Sequence, residues 1–150
     1  AEERRSSRER LLRALVVANL ISIHQKKYIG SLSAYCGAVS AACGAGAAIT
    51  YLHGGTHEQI QNTIKNTLVN VGGILCDGAK SSCAAKIAAS LDAAILGHEM
   101  SMRGRTFPEG EGLVQHNIDS TMKGIGSIAR EGMRATDTMI LETMINNVSS

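Results

Sequence analysis

A chain of 150 residues, 44% hydrophobic and 19% charged, has the composition of a globular protein, long enough to bury one core and short for two. Its 15 Lys and Arg against 13 Asp and Glu leave a net charge of +2, and 3% aromatics offer little for bases to stack on, so nucleic acid is excluded as the expected partner. One Phe, three Tyr and no Trp leave Ala, Gly and Met to fill the interior. Small side chains bring backbones close together, and no run of alternating β-branched residues suggests a sheet. The expected fold is all-α, a compact bundle of about six helices with an Ala/Gly-rich helix at its centre, forming a single helical domain over residues 1–150.

The first helix is expected to open at Ser6, whose hydroxyl can cap while Glu9 reaches back, and it carries Leu11, Leu12, Leu15, Val16, Leu20 and Ile23 before Gly30 ends it. Arg4, Arg5, Arg8, Arg10 and Arg13 are interleaved with Glu2, Glu3 and Glu9, the pattern of a solvated helix face. A charged amino terminus without an apolar stretch or cleavage site is not a signal peptide, and a reducing cytoplasm is the expected location.

A second helix is predicted from about Ser33 to His53, stopped by Gly54-Gly55. Residues 34–52 carry no charge, yet only Val39, Ile49 and Leu52 among them are strongly aliphatic, so the segment reads as a buried core helix rather than a membrane span. Thr56 starts a third helix, with Gln59 completing a capping box and Ile60, Ile64, Leu68 and Val71 as its buried stripe up to Gly72-Gly73. A fourth runs from about Ser82 to Met102 and is expected to bury Ile87, Leu91 and Ile95. Residues 103–116, rich in Gly and charge and holding the lone Pro108, read as a surface loop. Two helices follow, one from about Ile118 to Arg130 with Met122, Ile125 and Ile128 inward, the other from a Thr136 cap with Met139, Ile140, Met144 and Ile145.

The chemistry-bearing stretch is Cys76-Asp77-Gly78-Ala79-Lys80-Ser81-Ser82-Cys83, with Cys36 forty positions before Cys76. Cys83 falls in the first turn of the fourth helix, where unpaired backbone N–H groups, helped by Lys80 and Lys86, favour a thiolate. Asp77-Gly78 is a turn signal that can fold Cys76 back toward it, and Cys36 is the natural third ligand if the second helix packs across that turn. Cys43 lies seven residues beyond Cys36, about 10 Å along a helix axis, too far to share one compact site, and reads as a packing residue. Three thiolates without a fourth suit a cubane iron-sulfur cluster that keeps one iron open. Two other readings stand beside it: zinc completed by His57 or His98, although the cysteine spacing is unusual for zinc, and buried inert thiols. His98 reads as a structural histidine facing the interior.

Gly30-Ser31-Leu32-Ser33-Ala34-Tyr35-Cys36-Gly37-Ala38, Cys76-Asp77-Gly78-Ala79-Lys80 with Cys83, Gly132-Met133 and Thr136-Asp137 resemble the carboxy-terminal part of the L-cysteine desulfidase family. That family is itself similar to the α domain of iron-sulfur L-serine dehydratases. The likeness runs from about Leu11 to Met144, and the Cys-Asp-Gly-Ala-Lys run is its most specific piece. It implies a 4Fe-4S enzyme that removes hydrogen sulfide, or water in the serine relatives, from a small amino-acid substrate, leaving pyruvate and ammonia. Cys36, Cys76 and Cys83 take the place of the family's cluster ligands. Family members are longer, so the resemblance also implies an amino-terminal portion or separate subunit that completes the site.

Asp77 and Lys80 are the polar candidates for catalysis beside the cluster, against bland readings as a turn cap and a surface cation. A pyridoxal-phosphate enzyme using Lys80 or Lys86 is a rival, but nothing in the sequence recognises the phosphate. A helical subunit that only scaffolds, or forms a homo-oligomer through its Ala-rich and Met-rich faces, is the reading outside enzymology.

Overall fold

A computed structural model describes the backbone of residues 2–148 and the side chains of residues 7–148. Among these residues are six α-helices: α1 (Glu2–Ile29), α2 (Gly37–Leu52), α3 (His57–Val71), α4 (Cys83–Met102), α5 (Ile118–Ser127) and α6 (Arg134–Val148). A π-helical turn, Ile128–Gly132, joins α5 to α6. The all-α expectation holds, and no helix among the described residues is long and apolar enough to cross a membrane.

The uncharged segment forms the centre. On α2, Val39, Ser40, Ala42, Cys43, Gly44, Gly46, Ala47, Ala48 and Thr50 are all buried, and α1, α3 and α4 pack around it. Such small residues let neighbouring backbones approach to distances that a larger side chain would forbid. A Cβ on Gly44 would collide with the Ala18 carbonyl and the Ser22 hydroxyl of α1. Where α4 crosses α3, one on Gly97 would stand 2.9 Å from Thr67 Oγ1 and 3.0 Å from the Thr63 carbonyl.

This close packing overturns part of the expected core. Ile87, Leu91 and Ile95 of α4 are exposed at 57%, 37% and 43%, and the buried face is instead Ser90, Ala93, Ala94, Gly97, His98 and Ser101. On α1, Leu11, Leu12, Leu15, Val16, Leu20 and Ile23 are exposed, while Ala14, Gln25 and Ile29 are buried and Val17 and Ile21 pack on the core. Dispersion gains from many close backbone contacts select the small-residue face, and the large aliphatics are carried to the opposite side. On α5 Met122 and Ile125 point inward as expected, but Ile128, at the start of the π turn, is exposed and Ala129 takes the inner position.

Helix boundaries differ for local reasons. The backbone of α1 is helical from Glu2, so the helix does not open at Ser6, whose side chain, like those of Arg4 and Arg5, lies outside the described set. The second helix begins at Gly37 rather than Ser33, because residues 34–36 are drawn into an extended pairing with residues 74–76. At α3 the capping box forms in both halves: Gln59 N donates to Thr56 Oγ1 at 3.2 Å, and Thr56 N donates to Gln59 Oε1 at 2.8 Å. Thr136 lies within α6, not at its start, and α6 buries no residue completely. The 103–116 loop is pinned by buried Asn66, whose Oδ1 accepts from Thr106 Oγ1 and Phe107 N and whose Nδ2 donates to the Arg105 carbonyl.

Candidate functional site

The extended pairing that shortens α2 also builds the site. Tyr35 and Leu75 form an isolated antiparallel bridge, with Cys36 N donating to the Ile74 carbonyl at 3.1 Å and Cys76 N donating to the Ala34 carbonyl at 2.6 Å. Two cysteines distant in sequence are thereby fastened, each through its own amide, at diagonal positions of one short antiparallel pairing. The chain then turns through Asp77 and Gly78, whose φ of +88° is a left-handed conformation that glycine adopts without penalty. It re-enters helix at Cys83, whose sulfur lies 3.5 Å from the Lys80 amide and 3.4 Å from the Gly78 carbonyl.

Cys36, Cys76 and Cys83 line one cavity of about 590 Å³. Its walls are Gly37, Ala38, Ala41, Ala42 and Ala45 of α2, Gly78 and Ala79 of the turn, and Lys86, Ile87 and Leu91 of α4. Ile87 and Leu91, expected in the core, therefore face this hollow. Cys36 is the N-cap residue of α2 and its side chain caps nothing; Cys83 is the first residue of α4. Both sulfurs sit at the N-terminal end of a helix, on the side of its partial positive charge, but on α4 the expected unpaired amides are taken: Cys83 N donates to the Lys80 carbonyl and Ala84 N to the Ser81 carbonyl.

Cys43 is fully buried in the core beside Ile64 and Leu68, outside the cavity, and burial pushes its thiol up, away from ionisation. The zinc reading finds no fourth donor here, since neither His57 nor His98 lines the cavity. His98 is buried between α2 and α4, its Nδ1 2.9 Å from Thr50 Oγ1, which is in turn 2.8 Å from Thr63 Oγ1. Burial, reinforced by neighbouring His53, holds the His98 pKa below its ordinary value. Among the described residues, no three His, Cys, Asp or Glu side chains converge tightly enough to hold a single metal ion.

Asp77 and Lys80 are joined in an ion pair of 2.6 Å on the outer side of the turn, where both border a groove shared with Thr136, Thr143 and Asn147 of α6. Asp77 also receives the Lys86 ammonium, and hydrogen bonds from the two lysines hold its carboxyl down to about 2. Lys86 Nζ donates a further bond to the Leu75 carbonyl at 2.8 Å. Sequence reasoning gave the catalytic roles to Asp77 and Lys80 and named Lys86 only as a charge assisting Cys83, yet Lys86 is the cationic residue that lines the cavity. The signal was its spacing: a residue three beyond Cys83 shares that cysteine's helix face.

The class follows from comparison once this site is in view. The family of serine dehydratase alpha chains matches residues 1–142, and the chain belongs to that family. The more specific kinship is with proteins called UPF0597. One from Treponema denticola is 53% identical over 98% of this chain and 34% of its own length, and one from Lachnoclostridium phytofermentans is 59% identical over 92% of this chain and 33% of its own. A third, from Desulfitobacterium hafniense, is 51% identical over 100% of this chain and 35% of its own length. The chain thus spans about a third of the curated relatives it matches. No solved structure matches it.

Proposed function

We propose that this chain is the cluster-holding portion of an iron-sulfur lyase that eliminates hydrogen sulfide from L-cysteine, giving pyruvate and ammonia. The observation that carries the reading is the opening of Cys36, Cys76 and Cys83 onto a single cavity. A soft, all-sulfur donor set suits an iron-sulfur cluster. Cys36, Cys76 and Cys83 would hold a 4Fe-4S cluster. With three protein ligands, such a group supplies a Lewis-acidic iron able to take up charge on the leaving atom.

The chain's own residues do the rest. Ala38, Ala41, Ala42 and Ala45 exclude water from the cysteine side, and Lys86 brings positive charge to it. Asp77 and Lys80 remain the catalytic candidates. Lys80, 46% exposed, would receive a substrate carboxylate, while Asp77 fixes both lysines. The substrate base and further carboxylate contacts would belong to the part of the longer relatives that this chain does not span, or to a separate subunit.

Elimination of water from L-serine is the second reading, favoured by the family's description. Full-length protein purified without oxygen should contain iron and acid-labile sulfide and should release pyruvate from L-cysteine with a kcat/KM above that for L-serine. Greater efficiency on L-serine would transfer the reading to dehydration, and metal-free, inactive protein would leave a scaffold.

A further inference from the structure

Lys86 stands apart from the other cations of this chain. Its side chain lines an otherwise apolar hollow and is only 23% exposed, and two acceptors at the edge of that hollow hold its ammonium, Asp77 and the Leu75 carbonyl. Those acceptors are not independent of the sulfurs: Leu75 and Asp77 flank Cys76 in the chain, and Leu75 is the bridge partner of Tyr35, which precedes Cys36. Anchoring Lys86 therefore orders the strand that carries one cysteine, while the helix that carries Lys86 begins with another.

The charge count reinforces the geometry. Two ammonium groups share the single Asp77 carboxylate, so the cluster of three side chains retains one positive charge. Lys80 lines the outer groove and Lys86 the cysteine cavity. The Lys86 pKa is raised, chiefly by its bond to Asp77, with smaller contributions from Cys36 and Cys83. A purely structural ion pair would need only one lysine and no hollow in front of it.

We propose that Lys86 is an anion-binding residue of the cysteine cavity, its ammonium held by Asp77 and Leu75 to offset the negative charge of the thiolates and of the group they hold. The last part rests on the cluster reading given above; the attraction of anions into the cavity does not.

The test separates the two. The full chain, purified without oxygen and before any iron is added, is alkylated with anionic iodoacetate or neutral iodoacetamide, and modification of Cys83 and Cys76 is followed by peptide mass spectrometry with buried Cys43 as the reference. Lys86→Gln is expected to lower the iodoacetate-to-iodoacetamide rate ratio at Cys83 by about five-fold at low salt, and Lys86→Arg to preserve it. An unchanged ratio in Lys86→Gln overturns the proposal. Should that variant melt early, Lys86→Met keeps the aliphatic stem while removing the charge; a reduced ratio there supports the proposal and an unchanged one overturns it. After anaerobic reconstitution, Lys86→Gln should hold a cluster of lower midpoint potential, whereas an identical potential counts against the assignment. Wild-type chain that takes up no iron would sink the cluster reading and leave the alkylation result to decide Lys86 alone.

Discussion

The two ends of α2 contrast in how they treat polar groups. Toward its C-terminal end Thr50 meets Thr63 and His98 in a closed network: Thr50 Oγ1 also lies 2.9 Å from the Gly46 carbonyl and Thr63 Oγ1 2.9 Å from the Gln59 carbonyl, and the two hydroxyls share their protons among these acceptors. Toward its N-terminal end three cysteines and a lysine border an apolar hollow. Buried polar atoms that satisfy one another specify packing, whereas ligating atoms held around empty apolar space are prepared for something else. That difference separates a structural histidine from candidate ligands more cleanly than residue type does.

The contrast breaks most completely if Cys76 can be spared. Cys76→Ser in the full-length protein should abolish both iron-dependent absorbance and pyruvate formation; retention of both would falsify the cluster reading. Cys43 belongs to the other regime, so Cys43→Ala should keep the iron and cost about 1–2 kcal/mol of stability in urea unfolding.

Next in size comes the packing that both ends depend on. Gly44→Ala drives a methyl into the Ala18 carbonyl, and α1 must shift from α2 at a cost of about 2 kcal/mol or more, read as a fall in urea midpoint. Thr63→Val, which strips one hydroxyl from the closed network, should cost about 1–2 kcal/mol in the same assay while leaving iron content unchanged.

The smallest effect sharpens the comparison by pH. Because the fold holds His98 below its ordinary pKa of 6.5, its contribution to stability is complete above that value and is lost as pH falls from there through the folded pKa. Asp77 does not blur this window, since its contribution is present above 3.8 and fades only as pH falls toward about 2. Urea midpoints measured from about pH 8 to pH 5 should decline below about 6.5 in the wild type and much less in His98→Gln. Equal slopes would remove His98 from the account.

Legibility in the sequence followed the range of each signal. The Thr56–Gln59 capping box, the stop at Gly54-Gly55 and the stripe through Ile64 and Leu68 were readable because they depend on residues three or four apart. The exposed Leu11, Leu15, Ile87 and Ile95 were not, because a hydrophobic periodicity marks an apolar face without saying whether that face or a smaller one is packed.

By itself the amino-acid sequence determined the helices, the Ala/Gly-rich centre and the cysteines worth watching, since propensity, capping and turn chemistry are written locally. Only the tertiary structure decided that Tyr35 pairs with Leu75, that three sulfurs open onto one hollow and that Lys86 lines it with them. Those choices depend on how closely backbones can approach across small side chains, a property of two surfaces in contact rather than of either segment alone.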